Sequence, residues 1–288
     1  MALPADSHVH SEWSWDTGGP ASDAVGRMRA TCARAVRIGL PAVFFTEHLD
    51  IPGTWRAEPQ DLMPHQRHLI DDAGRVDFAL FDAAGYLEAV DRVRHDFPGL
   101  RVRTGVELGQ PHRVGDQAAR IVDLGALDRV LGSLHTLDLG AGPAEPNTLF
   151  REHDPAAVMS AYLAEVPVMV AGSDVFEVVT HLDYAVRLWP TDGLGPFDPR
   201  AFEEEFRVAM RAIADSGRAL EMNTRRLWPW LAQWWAEEGG AAVTFGSDAH
   251  TPDALAGNFP EATAMLEHVG FRPGRDPEDF WVRPGRNG

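Results

Sequence analysis

Two short apolar segments at opposite ends of the chain each finish in two metal-capable side chains one residue apart. These are His8-Val-His10 near the start and Asp248-Ala-His250 near the end. Alternate residues of an extended strand point the same way, so each pair can face one centre. Histidine with carboxylate is a ligand set for zinc, iron or manganese, and so for metal-assisted hydrolysis. Two such pairs at the two ends suit a barrel whose first and last strands are neighbours.

The elements that must position these residues alternate between short β-rich runs and helical patterns. Strands are expected at Pro4–His8, Ala42–Thr46, Arg101–Glu107, Arg129–Leu134, Val175–Thr180, Ala219–Met222 and Ala242–Gly246. Helices are expected at Ala21–Ile38, Ala83–Asp96, Gly115–Leu124, Pro155–Val170, Pro199–Ser216, Trp230–Glu238 and Pro252–Val269. Seven strand–helix units without a break in composition predict one α/β domain over residues 1–288, folded as a distorted, seven-stranded (β/α)7 TIM-like barrel. The connections Leu49–Asp82, Thr136–Asp154 and His181–Asp198 each follow a strand, where such barrels build their sites. They read as substrate walls or lids, or as plain insertions.

Nearly every expected strand ends in a metal-capable residue. Beyond the two terminal pairs these are Glu47-His48, Glu107, His135 and His181. Six of the 12 histidines therefore fall at one edge of the sheet, too many for a set of ordinary hydrogen-bonded strand ends. The others, His65, His68, His95, His112, His153 and His268, read as surface residues, with His112 closest to the rim.

The net charge of −17 argues against a basic nucleic-acid-binding surface and leaves a small phosphorylated substrate open, since divalent cations reverse the local charge. The single cysteine, Cys32, excludes an intramolecular disulfide framework and reads as a buried, inert thiol. No secretory signal precedes Asp6 and no apolar run is long enough to span a bilayer, so the expectation is a cytoplasmic protein without membrane contact. Trp228, Trp230, Trp234 and Trp235 crowd one stretch and read as helix packing or a self-association face.

With these residues in place, the chain resembles the PHP (polymerase and histidinol phosphatase) family. The motifs that carry the resemblance are His8-x-His10 with Asp16 six residues on, Thr46-Glu47-His48, Gly105-Val-Glu107, Gly132-Ser-Leu-His135, Thr180-His181-Leu-Asp183 and Gly246-Ser-Asp248-Ala-His250. They follow the family order along almost the whole chain. The resemblance implies a cofactor of two to three divalent transition metals (zinc, manganese or iron) on the C-terminal face of the barrel. It places one ion on His8, His10, Glu107 and Asp248. A second would share Glu107 with His135 and His181, and a third would take Asp16, His48 and His250. Glu12 competes with Asp16, and Glu47 could orient a ligand histidine.

Three carboxylates facing three divalent ions leave a positive centre that attracts a phosphate dianion. A hydroxide held between two such ions about 3.5–4 Å apart is a competent nucleophile near neutral pH. The leaving-group proton would come from water, from Asp16 or His250, or from no residue. Arg187 stands where histidinol-phosphatase members often carry an arginine near the phosphate, and Arg225 and Arg226 follow the sixth strand. A guanidinium–phosphate contact is expected from one of the three.

The resemblance is to the histidinol-phosphatase branch, which implies hydrolysis of a small phosphate monoester, with L-histidinol phosphate first among substrates. Asp50, Glu58 and Asp61 are compatible with its cationic end. Two other readings compete. One is a PHP phosphodiesterase or nucleotidase acting on nucleoside bisphosphates or short oligonucleotides, with base-stacking by the clustered tryptophans. The other is a non-catalytic metal-binding module.

Overall fold

In the computed structural model, which describes residues 3–22 and 26–283, seven strands run parallel in sequence order and a short eighth adds antiparallel to the seventh. The strands are β1 (Asp6–Val9), β2 (Ala42–Leu49), β3 (Arg101–Gly109), β4 (Arg129–Ser133), β5 (Val178–Val179), β6 (Ala219–Asn223), β7 (Ala242–Gly246) and β8 (Trp281–Val282). Two backbone hydrogen bonds join the ends of the sheet, from Asp248 N–H to His8 O (2.8 Å) and from His10 N–H to Ala249 O (3.0 Å). The fold is α/β, a distorted TIM-like barrel. The lower end of β7 pairs with β8, while the chain above β7 pairs with β1.

The strands sort their side chains by parity. Val43 and Phe45 of β2, Val102, Val106 and Leu108 of β3, and Val243 and Phe245 of β7 join the main core beneath the helices. Alternate residues fill the barrel interior, where Leu131, Val178 and Ala219 form one small cluster and Ala5, Ala42 and Phe44 another. Each fully buried large apolar side chain contributes roughly 1.5–3 kcal/mol. The same parity places His48, Glu107 and His135 inside, above that apolar floor.

β1 departs from this alternation. Asp6 pairs with Val43 and Val9 with Phe45, so three steps oppose two and a bulge intervenes. Consecutive side chains then both reach interior partners. Ser7 Oγ accepts from Arg129 Nη1 (2.7 Å), and His8 meets Glu107 and Glu221.

The helices follow the expected order with shifted ends. The first is Met28–Ile38, and part of its expected first turn, residues 23–25, lies outside the described residues. The third starts earlier, at Pro111, and Pro199–Ser216 divides into a 3-10 turn and the helix Glu203–Asp215. Pro252–Val269 divides likewise, its helix being Phe259–His268. The expected connection 136–154 contains a helix, Pro146–Glu152. β5 keeps only two ladder residues of the expected six, and β8 is too short to have a period. Among the described residues no helix is long and apolar enough to cross a membrane.

The 49–82 connection is an ordered wall. Trp55, Ala57, Leu62 and Val76 form their own apolar cluster, with Trp15, Leu69, Ile70 and Phe78 packed against it. Arg56 pairs with Glu152, and Arg151 with Glu58 and Asp61, which ties the wall to the helix Pro146–Glu152.

Glycine at 132 is demanded by packing, because a Cβ there would lie 2.4–2.7 Å from ring atoms of Phe176. Gly132→Ala is expected to destabilise the protein by about 1–3 kcal/mol through overpacking. Chemical denaturation measures this, and an unchanged unfolding midpoint would contradict the expectation.

Candidate metal centre

Glu107, at the upper end of β3, is the hub of the barrel mouth. Its Oε2 lies 3.1 Å from His8 Nε2, 3.4 Å from His10 Nε2 and 3.3 Å from His48 Nδ1. Its Oε1 lies 2.7 Å from His181 Nε2 and 3.1 Å from His135 Nε2, and accepts from Ser133 Oγ at 2.6 Å. Burial opposes its charge, but His8, His135 and His48 hold its carboxyl well below the usual carboxylate range.

Asp248 follows β7 with φ +53°, in the left-handed region, which is unfavourable for a non-glycine residue. Its Oδ1 is 3.6 Å from His10 Nε2 and 3.7 Å from His250 Nδ1. Its Oδ2 accepts from Arg187 Nη1 (3.0 Å) and Asn223 Nδ2 (3.3 Å). Asp16 sits in the turn Trp15–Thr17, with Oδ2 2.7 Å from His250 Nε2 and 3.8 Å from His48 Nε2. Glu12, its competitor, instead accepts from Met28 N–H at 2.6 Å and caps the first helix.

The structure thus brings His8, His10, Asp16, His48, Glu107, His135, His181, Asp248 and His250 together. Three groups of donor atoms each lie within 4.8 Å of one another: His10 with His48 and His250, His8 with His10 and Glu107, and His48 with Glu107 and His135. The donors suit divalent cations. Asp16 Oδ1 and His48 Nδ1 are buried without a hydrogen-bond partner, and the Nε2 atoms of His8 and His10 are 3.0 Å apart. Burial and the neighbouring His250 and His48 push the His10 imidazole down to about 3, so it stays neutral. A cation among these lone pairs would satisfy atoms that hydrogen bonds leave unpaired.

Above the cluster lies a cleft of about 1120 Å³. Arg187 lines it, with Nε and Nη2 donating to the two oxygens of Asp183 at 3.2 Å each. Arg225 also lines it and lies 3.5 Å from Asp248 Oδ2. Arg226 is exposed and outside the lining, so the expectation of a phosphate contact finds no support there.

The remaining expectations are met in some places and corrected in others. His65 and His68 line the cleft, whereas His112 is drawn away by Glu165 at 2.9 Å. The four clustered tryptophans lie outside the lining, and the cleft tryptophans are Trp15 and Trp55. Trp234 and Trp235 are buried, which places them in helix packing. Glu58 and Asp61 are held by Arg151. Cys32 is fully buried, and burial pushes its thiol up to about 12.

Three acidic residues have roles that the motifs did not assign. Asp50 accepts from Trp15 Nε1 (3.0 Å) and lies 3.3 Å from His48 Nδ1 and 3.5 Å from His135 Nδ1. Its place two residues after His48 was the available signal. Glu221 Oε2 is 2.6 Å from His8 Nδ1, and strand parity on β6 could have revealed it. Glu145 is half-buried in the cleft wall, and burial pushes its carboxyl up to about 7.

Comparison with known proteins bears on the family and the fold. Over 277 residues the chain is 24% identical to a Clostridium acetobutylicum protein named "Probable histidinol-phosphatase", covering 93% of this chain and 94% of that one. A Deinococcus radiodurans protein of the same name is 25% identical, with the same coverage. The histidinol phosphate phosphatase of Lactococcus lactis, solved with zinc, L-histidinol and phosphate, shares the fold with a TM-score of 0.71. It is 22% identical, and the match covers 94% of this chain and 95% of that one. The PHP domain family model matches residues 6–225, and this chain belongs to the PHP domain family.

Proposed function

We propose that this protein is a metal-dependent phosphatase that hydrolyses L-histidinol phosphate to L-histidinol and phosphate. The observation that supports the reading is Glu107 at the centre of five histidines beneath a cleft lined by Arg187. One ion would be held by His8, His10, Glu107 and Asp248, a second by Glu107, His135 and His181, and a third by Asp16, His48 and His250. Divalent ions, when bound, activate water and offset charge on the phosphoryl oxygens.

The chain's own residues do the rest. Asp183 and Asp248 fix the Arg187 guanidinium at the cleft wall, and its remaining N–H groups orient the phosphoryl group. Asp16 and His250, in contact at 2.7 Å, would be engaged by the third ion, so the leaving oxygen takes its proton from water ordered beside them. Histidinol carries an ammonium and an imidazole. Glu145 is assigned to that cationic end, since Glu58 and Asp61 are already paired with Arg151.

Phosphate release from L-histidinol phosphate, p-nitrophenyl phosphate and a nucleoside bisphosphate tests the reading. Turnover should favour the first, and preference for the bisphosphate, or silence on all three, would overturn it. Glu145→Gln should raise KM for L-histidinol phosphate roughly tenfold, as expected for a lost charge-assisted contact of about 1.5 kcal/mol, and leave p-nitrophenyl phosphate unaffected. Equal effects on both substrates would remove Glu145 from substrate recognition.

A further inference from the structure

His8 and His10 each have two ring nitrogens, and only one of each pair faces Glu107. The other nitrogen of each ring meets a buried carboxylate or a group bonded to one. His8 Nδ1 lies 2.6 Å from Glu221 Oε2, with both side chains fully buried. His10 Nδ1 lies 2.9 Å from Ser14 Oγ, and Ser14 Oγ donates to Glu47 Oε2 at 2.6 Å. A hydroxyl has one proton, so with that proton on Glu47 the Ser14 oxygen accepts from His10 Nδ1–H and from His48 N–H at 3.1 Å. Glu47 is held in turn by Ser11 N–H (2.9 Å) and Ser11 Oγ (2.5 Å).

Glu221 is equally constrained. Its Oε1 accepts from Asn223 Nδ2 at 2.8 Å, and Asn223 Oδ1 accepts from Arg225 N–H at 3.1 Å, which fixes the amide orientation. Room for the Glu221 carboxylate comes from Gly246, where a Cβ would lie 2.7 Å from Glu221 Cδ and 2.7 Å from His8 Cβ. The glycine is therefore required by the close approach of Glu221 to His8.

We infer that Glu221 directly, and Glu47 through Ser14, are positioning residues that hold a proton on Nδ1 of His8 and His10, leaving both Nε2 atoms to receive a metal ion. The inference rests on the metal reading above. It explains why two fully buried carboxylates stand behind the His8-x-His10 pair, one from the neighbouring β2 and one from β6 across β7. Histidines that bind metal commonly donate their second N–H to such a group, which orients the ring and raises its basicity.

Glu221→Gln makes the test sharp. With its oxygen toward His8, the new amide turns N–H groups on Asn223 Nδ2, a donor. With its nitrogen toward His8, it places the His8 proton on Nε2 and blocks the metal. The full chain, stripped by chelator, is titrated with zinc against a chromophoric competitor, and its metal-free melting temperature is measured alongside. Glu221→Gln should weaken zinc binding about 10–100-fold, and Ser14→Ala about tenfold, with the metal-free melting temperature of each within a few degrees of wild type. Wild-type zinc affinity in both variants would overturn the inference, as would a loss matched by a collapse of metal-free stability, which marks a packing role. Should Glu221→Gln not fold, the Ser14→Ala arm decides alone. Failure of wild type to take up zinc would instead overturn the metal reading itself.

Discussion

Glu107→Gln is expected to abolish turnover, lowering kcat/KM by roughly 10³-fold or more, since even residues that merely support a ligand cost 10–100-fold. Contacts of 3.4 Å or less join its carboxylate to five histidines of the cluster. Its two oxygens divide five histidines into a group of three and a group of two. Glutamine keeps the shape but replaces one acceptor by a donor, which must face either His8, His10 and His48 or His135 and His181. It also removes the negative charge that a shared site for two cations needs. The loss should appear in bound metal as well as in rate, with the barrel still folded. Phosphate release and metal content, measured on the same sample, check this; near-normal turnover would refute the central place given to Glu107.

Arg187→Lys is expected to lower kcat/KM by about 10²–10³-fold, the range for losing one preorganised donor to a developing anionic charge. Lysine keeps the charge and loses the fork. Arg187 spends Nε and Nη2 on Asp183 and one Nη1 contact on Asp248, all at 3.0–3.2 Å, and still presents N–H groups at the cleft. A lysine ammonium cannot hold both carboxylates and reach a phosphate. Burial opposes the charge, but Asp183 and Asp248 raise the pKa, so the guanidinium stays ionised. Two readouts separate its roles. Lost rate with full metal content marks a phosphate contact, whereas lost rate with lost metal marks a clamp on Asp248. Unchanged kinetics would remove Arg187 from the site.

Much of this centre was legible because parallel strands deliver their last residues to one rim, so strand-end chemistry reads directly as a cluster. The barrel's order was legible because short β-rich runs alternate with helical patterns along the chain. Features that depend on tertiary closure left weaker traces. The bulge in β1 lets Ser7 and His8 both face inward, which simple alternation forbids. Glu221 looks like any buried strand residue until barrel closure brings β6 within reach of β1 across β7, where Gly246 leaves the space between them. The 49–82 wall is polar and rich in turns, and its core of Trp55, Ala57, Leu62 and Val76 has no regular spacing in sequence. Cleft membership of His65 and His68 follows from that wall, and so could not be read from either histidine's neighbours.

Metal dependence of catalysis is the central claim, and the rate of phosphate release from L-histidinol phosphate before chelation, after it and after zinc is restored tests it most directly. The account predicts turnover that disappears on chelation and returns with zinc. Full activity in protein freed of metal, or no phosphate released in any of the three states, would contradict it.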